Sequence, residues 1–411
     1  MTDYDWKRSR QHRWRLGLQR QLSSSLVVEV AHLGSYTDHI AIFNGTNITR
    51  RLDILPEKYW ASGLVRNNAL ANDLNQSLPN PFNINNFAAL QTSNPVIYAD
   101  MRTNGFFTNS TISKSQLLRL YPQANGLTEG RDPSGEQVYN DLEVTVTKRL
   151  SQGYSFQASY IWSSNLNRTT RLNEFDDFLV WTPSNTSAPH NLNANFIYEF
   201  PFGKGRKFLS GNKWLGALVG GWQISGIYAK QSGRIYGTGN WFYYGDDLRA
   251  IAKETKDQTV DAWFNWQLFP GASRDYSASN RAAYEARIRQ IVPESVLQQM
   301  GNICGSGNNQ ACTYTNVTPT NFQPNSFHRR VFPTSLNWLR SHGRNQFDAN
   351  LLRRFSVTER KTLEFRLDLI NAFNHVLWDT PNTDINSSNF GKVTQQWNTP
   401  RWIQFQMRFM F

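Results

Sequence analysis

Apolar and polar residues alternate over long stretches of the chain, and a period of two predicts amphipathic β-strands. In 141–150 (DLEVTVTKRL) Leu142, Val144 and Val146 alternate with Glu143, Thr145 and Thr147. In 153–163 Tyr154, Phe156, Ala158, Tyr160 and Trp162 alternate with Ser155, Gln157 and Ser159. The same phase returns at Leu192, Ala194, Phe196 and Tyr198, and again at Trp222, Ile224, Gly226 and Tyr228. Near the C-terminus Leu363, Phe365, Leu367 and Leu369 interleave with Glu364, Arg366 and Asp368. The chain closes on Ile403, Phe405, Met407, Phe409 and Phe411, set against Trp402, Gln404, Gln406 and Arg408. Weaker strands near the start use Trp14, Leu16 and Leu18, then Leu26, Val28 and Val30.

In a strand this spacing gives one ring-rich face and one polar face. The polar face carries Glu143, Gln157, Asn193, Glu364, Arg366 and Asp368. A soluble sandwich would hide the apolar face in its core, so length has to decide. Runs of about 9–13 residues suit tilted membrane strands better than the usual soluble strand.

The connections carry a second regularity. Short turns are expected at 21–24, 151–153 and 356–360, with a medium one at 201–215. Long segments fall between them, at 34–136, 165–189, 231–343 and 374–400. Strict alternation of short and long connections along about nine strands is the habit of outer-membrane barrels, with tight periplasmic turns and long extracellular loops. Loops of about 100 residues do not suit a compact soluble domain. The final strand then leaves Phe411 at the periplasmic rim. The expected fold is all-β: a partial antiparallel transmembrane β-barrel in the outer membrane.

Inside the long loops, 281–299 reads as helix interrupted near Pro293, and 113–121 as a short helix that Pro122 ends. The clusters Trp241-Phe242-Tyr243-Tyr244 and Trp263-Phe264-Asn265-Trp266 are expected to pack a small loop core or join the upper aromatic girdle. Stacking on a ligand is the competing use of such rings.

Composition agrees with this picture. Aromatics reach 14% while charged residues are only 18%, which argues against a disordered tail and a coiled coil. No apolar run is long enough for a membrane helix. Cys304 and Cys312 lie in a Gly/Asn-rich stretch, at a spacing that fits neither a redox motif nor a zinc site. A disulfide closing a small loop is expected, which implies an oxidising compartment. The opening MTDYDWKRSRQHRW has no apolar signal core, in tension with that compartment.

Catalytic and cofactor motifs are missing: no phosphate loop, dinucleotide fingerprint, zinc-protease helix or nucleophile elbow occurs. The acid pairs Asp176-Asp177 and Asp246-Asp247 are expected to be solvated loop residues rather than glycosidase or cation sites. His190 and His375 read as polar residues at strand edges. The net charge of +12 is spread over turns and strand ends, which fits anionic membrane lipid better than nucleic acid. No enzyme activity, cofactor, metal or nucleic-acid partner is expected.

Several strings, in order, resemble the C-terminal part of TonB-dependent outer-membrane transporters of the Oar-like type common in acidobacteria. They are LPNPFNI (78–84), LLRLYPQ (117–123), PHNLNANFIYEFPFGKGRKF (189–208), GGWQISGIYAKQSGRIY (220–236), FRLDLINAFNH (365–375), SSNFGKVT (387–394) and PRWIQFQMRFMF (400–411). The resemblance implies a 22-stranded barrel, a plug domain inside it and energy delivered by TonB. Residues 1–411 then correspond to the C-terminal part of the barrel, without the plug, the TonB box or the first half of the barrel. A fragment not competent alone is the expectation, and it removes the tension over the export signal. The implied partners are outer-membrane lipid, an extracellular solute and, through the rest of the full-length protein, the TonB system. Rival readings are a secreted all-β protein that binds or cleaves glycans, and a passive porin.

Overall fold

The structure, a computed structural model, describes residues 7–42, 52–124, 126–127, 132–203, 205–209, 219–274, 276–300, 317–356, 358 and 361–411. Fourteen strands occur among them: β1 (Arg10–Gln21), β2 (Leu26–Ile42), β3 (Ser77–Pro79), β4 (Thr111–Ser113), β5 (Asp132–Ser151), β6 (Tyr154–Thr170) and β7 (Val180–Pro183), then β8 (His190–Glu199), β9 (Trp222–Gln231), β10 (Ile235–Gly237), β11 (Ser335–Arg340), β12 (Arg344–Ser356), β13 (Thr362–Ile370) and β14 (Trp402–Met410). Nine of them form one antiparallel sheet in the order β1-β2-β5-β6-β8-β9-β12-β13-β14, and β7 adds to β6. Every neighbour in the main path is the next long strand in sequence, as an up-and-down barrel wall requires. The sheet is open, with β1 and β14 at its two edges.

Register preserves the phase of the alternation at each pairing. One row runs Leu18, Val30, Val144, Tyr160, Leu192 and Lys230. Another runs Tyr154, Tyr198, Ile224, Leu351, Leu367 and Phe405. The intervening rows are polar, for example Gln19, Glu29, Thr145, Ser159 and Asn193. A slip of one residue at any pairing would move a whole strand's apolar set to the wrong face. All nine strands therefore agree on a single apolar face.

The turn between β5 and β6 shows how local chemistry fixes this register. Ser151 pairs with Tyr154, leaving Gln152 and Gly153 as a two-residue turn with both φ positive, at 57° and 86°. That geometry matches the right-handed twist of the flanking strands and favours glycine at the second position. On the apolar face, Gly226 sits between Phe196 and Phe347, whose rings lie nearly parallel at 6.3 Å, and a Cβ on it would come within 2.8 Å of both rings.

The strands outrun their sequence-predicted ends. β2 continues to Ile42, β5 starts at Asp132 and β6 reaches Thr170. Beyond the apolar band, polar pairs at the same phase hold these extensions, namely Arg10–Asp38 at 2.6 Å and Arg168–Glu136 at 3.4 Å. Alternation of hydropathy stops there although the ladder does not.

The long connections fold into a structured assembly at the other ends of the strands. The expected helix appears as Arg281–Ile291 and Glu294–Gln299, separated at Pro293, and Lys114–Leu117 is capped by the Ser113 hydroxyl. Helices at Asn68–Leu74 and Pro95–Thr103 were not anticipated, although Asn67 and Asn94 cap them by accepting from the amides of Leu70 and Ile97. No described helix is long and apolar enough to cross a membrane.

Candidate functional site

The two faces of the wall have different chemistry. Leu16 is 77% exposed and Phe405 69%, and Leu18, Ile403, Met407 and Phe409 are exposed with them. Such a surface, to which Val30, Leu142, Trp162 and Phe355 add exposed side chains between the two edge strands, needs an apolar environment. From Tyr154 to Trp162 the band runs nine residues, within the length of a tilted membrane strand. Rings mark its limits. At the short-turn end the Lys148 ammonium lies 3.9 Å from the centre of the Tyr154 ring, and Arg353 stacks over Trp222 and Phe355. At the long-loop end stand Trp162, Tyr160 and the stacked pair Phe347–Phe373. Aromatic and cationic groups at these levels suit membrane interfaces.

The opposite face is a hydrogen-bonded polar lining. Arg15 pairs with Glu29 at 2.6 Å and reaches Glu143 at 3.7 Å. Thr145 donates to Ser159, Asn350 donates to Asp368 at 2.6 Å, Arg366 donates to Asp368 at 3.0 Å, and Arg354 pairs with Glu364 at 2.7 Å. A concavity of about 660 Å³ on this face is lined by Asn195, Asp348, Asn350, Arg366, Asp368 and Gln404, with the apolar side chains of Ile197 and Ile227 among them. The sequence places Glu143, Gln157, Asn193, Glu364, Arg366 and Asp368 on the polar face, and the register puts them all there. It missed Arg15 and Glu29, whose strands alternate weakly. It also missed Asp348 and Asn350 on β12, where Phe347, Ala349 and Leu351 carried the unread signal.

The loops are packed into one another. Trp241 is 1% exposed and touches Phe264, Phe269, Phe332 and Phe390, rings drawn from the segments 232–343 and 371–401. Both aromatic clusters thus build a loop core, as the sequence predicts, and the rings of Trp241, Phe242 and Phe264 are closed to solute. The Arg330 guanidinium donates to the carbonyls of Thr238, Gly239, Phe332 and Pro333, and its backbone amide donates to Asn173. Burial lowers the pKa of that guanidinium. Tyr244 donates to the Leu64 carbonyl, and Arg329 pairs with Glu57, joining 52–124 to the same body. Arg171 and Asp132 form a buried ion pair at 2.8 Å where β5 and β6 enter the loops.

Other sequence candidates lie outside the polar lining. Asp176 accepts from Asn173, and Asp247 accepts from the Arg249 amide, so both serve local turns. His190 begins β8 and its Nδ1 lies 2.7 Å from the Tyr160 hydroxyl, whereas His375 follows β13 in a turn held by Asn371. Cys304 and Cys312 lie outside the described residues. No group of three or more metal-ligating side chains occurs among the described residues.

A meander of long antiparallel strands with one lipid-compatible face, one polar face and long loops at one end defines the wall of a membrane β-barrel. The family described as "Outer membrane beta barrel domain" matches residues 1–404, and this chain belongs to it. Its place is the cell outer membrane, the apolar face turned to lipid and the polar face to the lumen. No curated protein matches the chain. Similar solved structures include the outer membrane transporter YddB from Escherichia coli, at 9% identity and TM-score 0.36 over 99% of this chain and 33% of that one. The pyoverdine receptor FpvA from Pseudomonas aeruginosa PAO1, bound to pyoverdine, is similar at 9% identity and TM-score 0.35 over 98% and 30%. The copper transporter OprC follows at 8% and 0.33 over 99% and 32%. The chain spans about a third of the length of these structures.

Proposed function

We propose that this chain is the C-terminal wall and loop cap of an outer-membrane receptor that imports an extracellular solute with energy from the TonB system. The observation that carries the reading is the pairing of a polar lumenal lining with loops folded around their own aromatic core. A recognition surface needs fixed geometry, and the buried Trp241 cluster supplies it. The ordered strings that resemble Oar-like transporters support the energised mechanism. On this reading a plug and further strands complete the barrel, and neither edge of the present sheet is its natural boundary. The chain carries no catalytic role. A secreted glycan-binding protein is disfavoured because nothing among the described residues packs over Leu16, Leu18, Phe405 or Met407 to keep them from water.

The passive porin remains the second reading, because the same wall would serve it. Conductance separates the two. The full-length protein in a planar bilayer is expected to show no steady current, and solute uptake by cells is expected to stop when the proton-motive force is collapsed. Steady ohmic conductance with uptake that survives an uncoupler would establish the porin instead.

A further inference from the structure

A pocket of about 920 Å³ lies under the loop rim, and the strand residues Tyr160, Leu192 and Lys230 on its floor have the phase of the lipid face, while Gln231 and Arg344 at its edge have the opposite phase. Tyr160, Leu192, Lys230 and Asn345 are successive register partners in one row, in phase with Leu18 and Val30. The row begins in the apolar band and climbs across the sheet, so that Lys230 emerges at its upper edge. The roof comes from the loops, with Lys253, Arg340, His342 and His375. His190 completes the wall, held against Tyr160.

The charge of this pocket is one-sided. Four cationic side chains, Lys230, Lys253, Arg340 and Arg344, and three imidazoles line it, and no carboxylate does. The nearby acid Glu254 is taken up by Lys256 at 2.9 Å. Arg340 is fixed in place by donating to the carbonyls of Ser187 and Gly233. Nδ1 of His342 is buried without a hydrogen-bond partner. Burial, with His375 nearby, lowers the pKa of His342, and an anion between the imidazoles would oppose that. Cations gathered against one another and facing lipid are costly unless an anion meets them. A lysine at the boundary between hydrocarbon and headgroup also extends naturally toward the polar layer.

We propose that this pocket binds the phosphate-bearing headgroup of an outer-leaflet lipid, with Lys230 and Lys253 as its principal cations. Acyl chains lie along the exposed rings below it, and the phosphate sits between strand and loop. The lipid thereby ties the loop cap to the barrel wall from outside, independently of what the lumen carries.

The test uses full-length protein in mild detergent, titrated with a bisphosphorylated glucosamine lipid or its dephosphorylated counterpart and read by native mass spectrometry. The phosphorylated lipid is expected to be retained preferentially. Lys230→Gln and Lys253→Gln are each expected to weaken its retention about tenfold, while Lys58→Gln, outside the pocket, leaves it unchanged. Heat-modifiable gel mobility verifies that each variant is folded, and the loop variant Lys253→Gln stands if Lys230→Gln is not. Equal retention of both lipids overturns the proposal. So does inorganic phosphate occupying the site without displacing lipid, which would make it a free-anion site. Neither result would bear on conductance or uptake, so the transporter reading is tested separately.

Discussion

Asn350 on β12 donates to Asp368 on β13 at 2.6 Å, while Leu351 and Leu367, one residue along each strand, pair on the opposite face. One step along the chain thus exchanges a hydrogen-bonded aqueous lining for a lipid-facing surface. The penalty for a charge should change as abruptly. In the assembled barrel, Leu367→Arg is expected to cost about 2–4 kcal/mol. Asp368→Asn keeps a hydrogen-bond acceptor and loses only the Arg366 charge contact, so a cost below about 1 kcal/mol is expected. Denaturant titration of both variants in lipid checks this, and equal costs would mean the faces are wrongly assigned.

Trp241 holds the loop core together. Trp241→Ala removes the ring shared by Phe264, Phe269, Phe332 and Phe390, and a loss of about 3–5 kcal/mol is expected. The loss should be confined to the loops, because the strand ladder has its own hydrogen bonds. Limited proteolysis should then cut within 232–343 while heat-modifiable mobility is retained. A variant that loses both would show that loops and wall fold as one unit.

The loop cap should weaken in acid. His328 is buried edge-on against Phe242, and burial depresses its imidazole pKa below the ordinary 6.5. The folded state therefore binds fewer protons than the unfolded one. Its stability contribution is full above the ordinary value and is lost as pH falls through it. Protease cutting of the loops is expected to rise between about pH 7 and pH 5. His328→Gln should flatten the response, leaving the share of His342, whose pKa is lowered in the same direction. An unchanged profile in His328→Gln would remove His328 from the account.

Cys304 and Cys312 are expected to be joined, closing a short ring whose effect is about 2–3 kcal/mol and local to the loop. Thiol labelling of the folded, non-reduced protein should fail at both positions. Labelling at either one counts against the bridge.

The outer sides of β1 and β14 have no strand paired to them among the described residues. In hydrocarbon each unpaired amide or carbonyl costs several kcal/mol, so an open sheet is not a stable membrane structure. Residues 1–411, exported alone, are expected to be degraded, and supplying further strands should rescue a compact, heat-modifiable species. A stable closed barrel with energy-dependent uptake from this segment alone would refute that expectation.

Much of this architecture was readable before any coordinate. Residues such as Tyr154, Phe156 and Tyr160 announce their face because a strand repeats every two residues and lipid enforces the repeat. Short turns such as the one at Gln152-Gly153 announce themselves through backbone conformations that few residues tolerate. The sequence therefore determined strand class, the order of short and long connections, the membrane face and the polar face.

Only the tertiary structure decided which polar residues meet. Arg15 reaches both Glu29 and Glu143 because β1, β2 and β5 are neighbours, and no local pattern encodes a contact across some 130 residues of chain. The strand ends beyond the apolar band, the loop core around Trp241 and the pocket that gathers Lys230 with Lys253 belong to the same class. Each depends on side chains brought together by the sheet's register and the packing of loops. Away from lipid nothing forces a period on the sequence, so those arrangements leave no repeating trace in it.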